Sequence, residues 1–232
     1  LDVHRVTGYS GEPKSLEGQP LAWVASDDLS CYPMPAADRP IITAIRLPST
    51  YLITGADPCQ RQSFLARLKS ALLAGHRLVQ LRAPQLTDGA YLALARDAQT
   101  LCHRHGARLL VNASPQLAAR VGADGVHLNS RRLMALDHRP LPSGQWVAAS
   151  CHNLAELRRA EELDLDFVVL SPVLPTLSHP KTPALGWEAF QSQVAQVALP
   201  VFALGGMETA MLARAQCHGG QGIAAIGAFW GR

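Results

Sequence analysis

Eight short apolar runs, separated by segments of helical character, constrain this chain more than any other feature. They are Tyr51–Thr54, Leu78–Leu81, Arg108–Val111, Gly125–Leu128, Trp146–Ala149, Phe167–Leu170, Pro200–Leu204 and Gly222–Ile226. None alternates cleanly between apolar and polar residues, so each reads as a parallel strand covered on both faces. Parallel neighbours need long crossovers, and the segments between the runs supply them. Phe64, Leu65, Leu68 and Leu72 form one helical stripe opened by Asp57-Pro58, and Tyr91, Leu94, Ala98 and Leu101 form another opened by Thr87 or Asp88. Ser114-Pro115 opens a third helix; Leu154, Leu157 and Ala160, then Met211, Leu212 and Ala215, mark two more. These stripes read as core contacts. The alternation predicts an α/β fold, a (β/α)8 TIM barrel over residues 51–232, with a final helix that is stunted or absent.

Composition narrows the class of partner. The 232 residues are 48% apolar and 17% charged, with a formal net charge of +3. No Lys/Arg run with interleaved aromatics is present, so no nucleic-acid polymer is expected. No apolar stretch approaches the roughly 20 residues a membrane helix needs, so no membrane partner is expected either. Cys31, Cys59, Cys102, Cys151 and Cys217 are scattered without C-x-x-C spacing and read as reduced thiols in a cytoplasmic protein. Cys151 stands near candidate chemistry but reads as a small apolar filler. A homo-oligomer is compatible with all of this.

Residues 1–47 lie outside the alternation. Leu1–Val6 and Leu21–Val24 read as strands, Pro33–Pro40 as a proline-rich loop, and Ile41–Ile45 as the start of a helix. Those elements are too few to bury a core, so the segment needs a partner. Its words in order are G-E-P at 11–13, E-G-Q-P at 17–20, a Trp-bearing strand around Trp23, and P-x-A-x-x-P-I-I from Pro35. They resemble the C-terminal part of a MutT-type Nudix hydrolase, an 8-oxo-dGTP diphosphatase. The resemblance implies a Nudix fragment over residues 1–47, a linker at 48–50, and a missing N-terminal part of that domain as a partner. The family's catalytic helix, G-x5-E-x7-R-E-x-x-E-E, is absent, and Asp38 stands where an Asn is usual. Mg2+ is therefore expected only in the missing Nudix active site, with no metal or other cofactor in this chain.

Within the barrel, function gathers where strands end. Pro200-Val-Phe-Ala-Leu-Gly-Gly-Met207 and Gly222-Ile-Ala-Ala-Ile-Gly-Ala228 are apolar runs that close on glycine and lead toward a helix. Two such loops in succession present bare backbone N–H groups, the makings of a phosphate cradle from Gly205, Gly206, Ile226 and Gly227. Thr54, Gln80, Arg82, Asn112, His127, Ser150, His152, Ser171 and Thr176 also stand at strand ends. His127 reads as a hydrogen-bonded structural histidine, and Arg131 and Arg132 read as solvated loop residues. His152 has the pKa range for giving and taking a proton at neutral pH.

The words Y-L-I-T, V-Q-L-R, L-L-V-N, V-G-A-D-G-V-H-L, S-x-H, S-P-V-L-P-T, P-V-F-A-L-G-G-M and G-I-A-A-I-G run in order from residue 51 onward. They resemble the thiamine phosphate synthase superfamily, including its TenI-like thiazole tautomerases. The resemblance implies His152 as a catalytic acid and base, and Thr176, Ser178, Gly205, Gly206, Ile226 and Gly227 around a phosphate. It leaves Arg82, Asn112 and Ser150 as other ligand-binding groups. The ligand would be a small phosphorylated one, a thiazole phosphate or a thiamine phosphate-like molecule. Ala113, Arg132 and Pro84 stand where the synthases are expected to have Asp, Asp and Lys, and His179 where a Lys is expected. Those departures predict loss of the Mg2+-dependent coupling step. The expected role is accordingly a regulatory or sensor module of a Nudix hydrolase, the alternative a thiazole tautomerase, and an active synthase stands behind both.

Overall fold

The computed structural model describes residues 4, 6, 8–26, 28–55, 58–176 and 182–230. The strands are β1 (Thr50–Ile53), β2 (Leu78–Leu81), β3 (Arg108–Val111), β4 (Gly125–Leu128), β5 (Trp146–Cys151), β6 (Phe167–Leu170), β7 (Val201–Leu204) and β8 (Gly222–Ala225). They close in sequence order into a barrel of parallel pairs, β8 returning to β1 with Thr50 opposite Ile223. All eight predicted strands form, within two residues of their expected ends.

The helices are α1 (Arg39–Arg46), α2 (Arg61–Leu73), α3 (Asp88–Arg104), α4 (Pro115–Val121), α5 (Ser130–Met134), α6 (Leu154–Glu162), α7 (Gly186–Val194), α8 (Leu212–Cys217) and α9 (Gly227–Trp230). Local chemistry starts several of them. The Thr87 hydroxyl accepts from Ala90 N at the head of α3, Ser114 from Leu117 N at α4, and Asn153 from Glu156 N at α6. Asp57, expected to cap α2, lies outside the described residues, and α9 is the short final helix the sequence implies.

Alternation along each strand splits the core in two. Outward-facing Leu52, Val79, Leu81, Leu109, Val111, Val126, Val147, Val168, Val201 and Ile223 pack under the helices. Inward-facing Tyr51, Ile53, Leu78, Leu110, Ala148, Phe167, Val169, Phe202 and Ala224 fill the barrel. Tyr51, Phe167 and Phe202 make an aromatic triangle with ring centroids 5.3, 5.5 and 5.9 Å apart. At the N-terminal mouth, the Arg108 guanidinium lies over the Trp146 ring at 5.0 Å.

The first 38 residues depart from the expectation. Their described part forms two 3-10 turns, Asp28–Cys31 and Ala36–Asp38, and no strand. The strand expected over Leu1–Val6 falls largely outside the described residues; the one expected at Leu21–Val24 does not form. A strand needs a neighbour for its N–H and C=O groups, and a closed barrel has no free edge to offer one. Leu16 and Trp23 stay exposed (96% and 77%), although Trp23 stacks on Tyr9. The expected helix does form, as α1, and meets the barrel. Gln221 Nε2 donates to the carbonyls of Ala44 and Leu47 at 3.0 and 3.2 Å, and Leu47 is buried in the inner core. Residues 48–50, expected as a linker, lead directly into the barrel: Ser49 O accepts from Ile223 N at 3.0 Å, and Thr50 opens β1. No helix among the described residues is long and apolar enough to cross a membrane.

Candidate active site

Tyr51 of β1 and the C-terminal ends of β2 to β5 bring polar side chains together inside the barrel. Asn112, just beyond β3, donates from Nδ2 to Gln80 Oε1 on β2 at 3.0 Å. Gln80 Nε2 donates to Tyr51 Oη on β1 at 3.3 Å. Tyr51 Oη lies 3.2 Å from His127 Nδ1 on β4, and His127 Nε2 lies 2.9 Å from Ser150 Oγ on β5. The five side chains form one continuous chain across the upper interior. Tyr51 and His127 are fully buried. Burial holds His127 neutral, its pKa lowered to about 3, and pushes the Tyr51 hydroxyl far above its ordinary value. Asn112 and Ser150, at the two ends, are half-buried and border the mouth.

His152 stands apart from this chain, on the loop leaving β5. A capping box holds the loop: Glu156 Oε2 accepts from His152 N at 2.8 Å, while Glu156 Oε1 accepts from Asn153 Nδ2 at 3.2 Å. The His152 ring meets the end of β6, with Nδ1 2.8 Å from Ser171 O. A carbonyl only accepts, so Nδ1 carries a proton and, in the neutral ring, Nε2 carries the lone pair. His152 is exposed. Cys151, next to it, points into the outer core, and burial drives its thiol pKa well up, so it is an inert filler.

The two glycine loops are neighbours because β7 pairs with β8, Leu204 opposite Ala224. Gly205 and Gly206 adopt φ of +96° and +67°, a region that side chains avoid. The loop after β6 seals against them, Val173 N donating to Leu204 O and Leu174 N to Gly205 O. A Cβ on Gly206 would stand 2.8 Å from Leu174 Cβ and from Pro175 O. The contact brings Pro175, next to Thr176, against Gly206. Gly227 differs, being exposed with open space where a Cβ would stand. Ile226 caps α9, its carbonyl accepting from Trp230 N at 2.8 Å. The N–H groups of Gly206, Gly227 and Ala228 meet no acceptor among the described residues.

The remaining expected groups divide. Arg82 is exposed, with its backbone N–H held by Thr54 Oγ1 at 2.9 Å; Thr54 is thus a structural tie between β1 and β2. Thr176 is half-buried, and Ser178 and His179 lie outside the described residues. Ala113 is buried, and Arg132 is half-buried close enough to Tyr91 to act on its hydroxyl electrostatically. Among the described residues no three His, Cys, Asp or Glu side chains come together as a metal site. A methyl group and a guanidinium offer Mg2+ no oxygen ligand, so this donor set does not fit that ion.

Tyr51 is the site residue that sequence reasoning missed. It lies within a strand and reads as core. A signal existed, because residue 51 shares inward parity with Ile53 and a buried tyrosine hydroxyl requires a partner.

Residues 50–229 match the family model described as thiamine monophosphate synthase. A Geobacter sulfurreducens protein provisionally named a thiamine-phosphate synthase is 38% identical, over 78% of this chain and 85% of its own. The thiamine-phosphate synthase of Streptococcus suis is 32% identical, over 77% of this chain and 80% of its own. The solved thiamine phosphate pyrophosphorylase of Pyrococcus furiosus superposes with a TM-score of 0.67 at 24% identity, covering 79% of this chain and 88% of its own, a likeness of fold. These relatives overturn the expected role: their names specify synthesis of thiamine phosphate, not regulation of a nucleotide hydrolase. Relatives spanning the same barrel overturn with it the loss of coupling expected from Ala113, Arg132 and Pro84. Nothing in the comparisons supports a Nudix or MutT segment in residues 1–47; the family model begins at residue 50. The chain belongs to the thiamine monophosphate synthase family.

Proposed function

We propose that this barrel makes thiamine phosphate by joining a pyrimidine pyrophosphate to a thiazole phosphate. Family membership across residues 50–229 carries the reading. In that reaction a bond forms between the thiazole nitrogen and the pyrimidine's methylene carbon, and pyrophosphate departs with the electron pair of the broken C–O bond. The protein's task is to hold two phosphorylated molecules in line and to stabilise the departing charge.

The geometry suits a division of labour. The N–H groups of Gly206, Gly227 and Ala228, with the Thr176 and Ser178 hydroxyls, would take the thiazole's phosphate. Asn112 and Ser150 would face the pyrimidine pyrophosphate, Ser150 toward its phosphates, with Arg82 and Arg132 supplying positive charge there. His152, held through Nδ1, would present Nε2 to the reacting pair. Ala113 and Arg132 offer Mg2+ no oxygen ligand, so arginine side chains would supply the positive charge facing pyrophosphate.

The test is direct. Purified protein given both substrates is expected to form thiamine phosphate and pyrophosphate in equal amounts, and neither when one substrate is withheld. Absence of product under conditions that saturate an ordinary synthase would overturn the reading.

A further inference from the structure

The hydrogen-bonded chain across the upper interior has a direction. Asn112 faces Gln80 Oε1 with its amide nitrogen, and Gln80 faces Tyr51 Oη with its own. Tyr51 Oη therefore already accepts, and its single proton goes to the acceptor 3.2 Å away, His127 Nδ1. A neutral imidazole has one N–H, so that proton stands on Nε2 and is donated to Ser150 Oγ at 2.9 Å. A serine hydroxyl on its own turns either way; this one is already an acceptor on its inner side. Its own proton is left to point out of the chain, toward the mouth.

We infer that Tyr51 and His127 are positioning residues that hold the Ser150 hydroxyl as a hydrogen-bond donor to a phosphoryl oxygen of the substrate. The inference rests on the proposed function for the substrate's phosphate, while the direction of the chain rests on the hydrogen bonds alone. A phosphoryl oxygen only accepts, and a donor locked in advance has no reorientation left to undergo when it binds. Were Tyr51 to lose its hydroxyl, the His127 proton could move to Nδ1. Ser150 would then turn inward to donate to Nε2, away from the substrate. Tyr51→Phe would thus act on the substrate without touching it.

Two measurements test this. Nitrogen NMR of protein labelled in its histidine rings reads the His127 tautomer. The Nε2–H form is expected in the wild type, with loss of that fixed tautomer in Tyr51→Phe. A wild-type Nδ1–H form would overturn the inference. Kinetics of thiamine phosphate formation supply the second readout. Ser150→Ala and Tyr51→Phe should each lower kcat/KM by about tenfold, the size of one hydrogen bond, and the double variant by little more than either. His127→Gln, which keeps an N–H near the place of Nε2, should retain more activity than His127→Leu. Additive losses in the double variant, or equal activity in the two His127 variants, would overturn it. If the wild type forms no thiamine phosphate, the functional reading falls alone. The tautomer, together with calorimetric binding of inorganic pyrophosphate to wild type, Tyr51→Phe and Ser150→Ala, then decides the chain: a weaker affinity in both variants sustains it, and an unchanged affinity in both refutes it.

Discussion

The two ends of the barrel interior are built from the same eight strands and do opposite things. Toward the N-terminal mouth, Leu47, Phe167, Phe202 and Ala224 make a dry layer whose worth is packing. Toward the C-terminal mouth, Gln80, Asn112, His127 and Ser150 make a polar layer in which burial without partners would be costly, and each meets a partner. Tyr51 belongs to both, its ring in the aromatic triangle and its hydroxyl in the polar chain. A barrel can place chemistry at one end because the other end supplies the stability.

The largest expected effect falls on the dry layer. Phe202→Ala removes one corner of the aromatic triangle from a fully buried site and should cost about 3–5 kcal/mol, measured by denaturant unfolding. A loss under 1 kcal/mol would mean that the two layers do not divide the work in this way.

Acid separates the layers next. The folded-state pKa of His127 is depressed, so its contribution is intact above the unfolded value near 6.5 and is lost as pH falls toward about 3. The slope is about 1.4 kcal/mol per pH unit, because the unfolded chain takes up a proton that the folded one refuses. Burial lowers the pKa of His76 too, adding loss of the same sign, whereas the raised pKa of Asp166 opposes it. Unfolding of wild type and of His127→Gln between pH 7 and 5 isolates the term, since the variant should lose the His127 part of the slope.

The rim of the polar end should respond unevenly. Gly206→Val forces a side chain into φ +67° and against Leu174 and Pro175, so it should cost about 1–3 kcal/mol of stability and displace the loop after β6. The missing side chain of Gly206 makes room for a neighbouring loop, while its N–H meets no acceptor among the described residues. Gly227→Ala is the smallest change. Its added methyl enters open space, so stability should stay within about 0.5 kcal/mol while the KM for thiazole phosphate rises. Equal melting losses at the two glycines would blur the distinction.

Much of this was legible in advance. Runs such as Phe167–Leu170 and Gly222–Ala225 are covered on both faces, which left parallel pairing as the consistent solution, and Thr87 and Ser114 announced helix starts by their own side-chain chemistry. The segment before the barrel was not legible. Apolar residues at Leu21 and Trp23 suggested a strand, but pairing is a property of two segments, and none of the barrel's strands has an edge to spare.

For this protein the sequence alone determined the order of strands, the closure of the barrel and the rim where chemistry collects, because each depends on local periodicity and on where apolar runs stop. The tertiary structure decided which of those rim residues act together. His127 and Tyr51 stand 76 positions apart, yet barrel closure puts their polar atoms 3.2 Å from each other. It likewise packed Gly206 against the loop after β6 and tied Thr54 to the backbone of Arg82. Hydrogen bonds between distant strands depend on register and barrel shear, and those are fixed only when all eight strands have met.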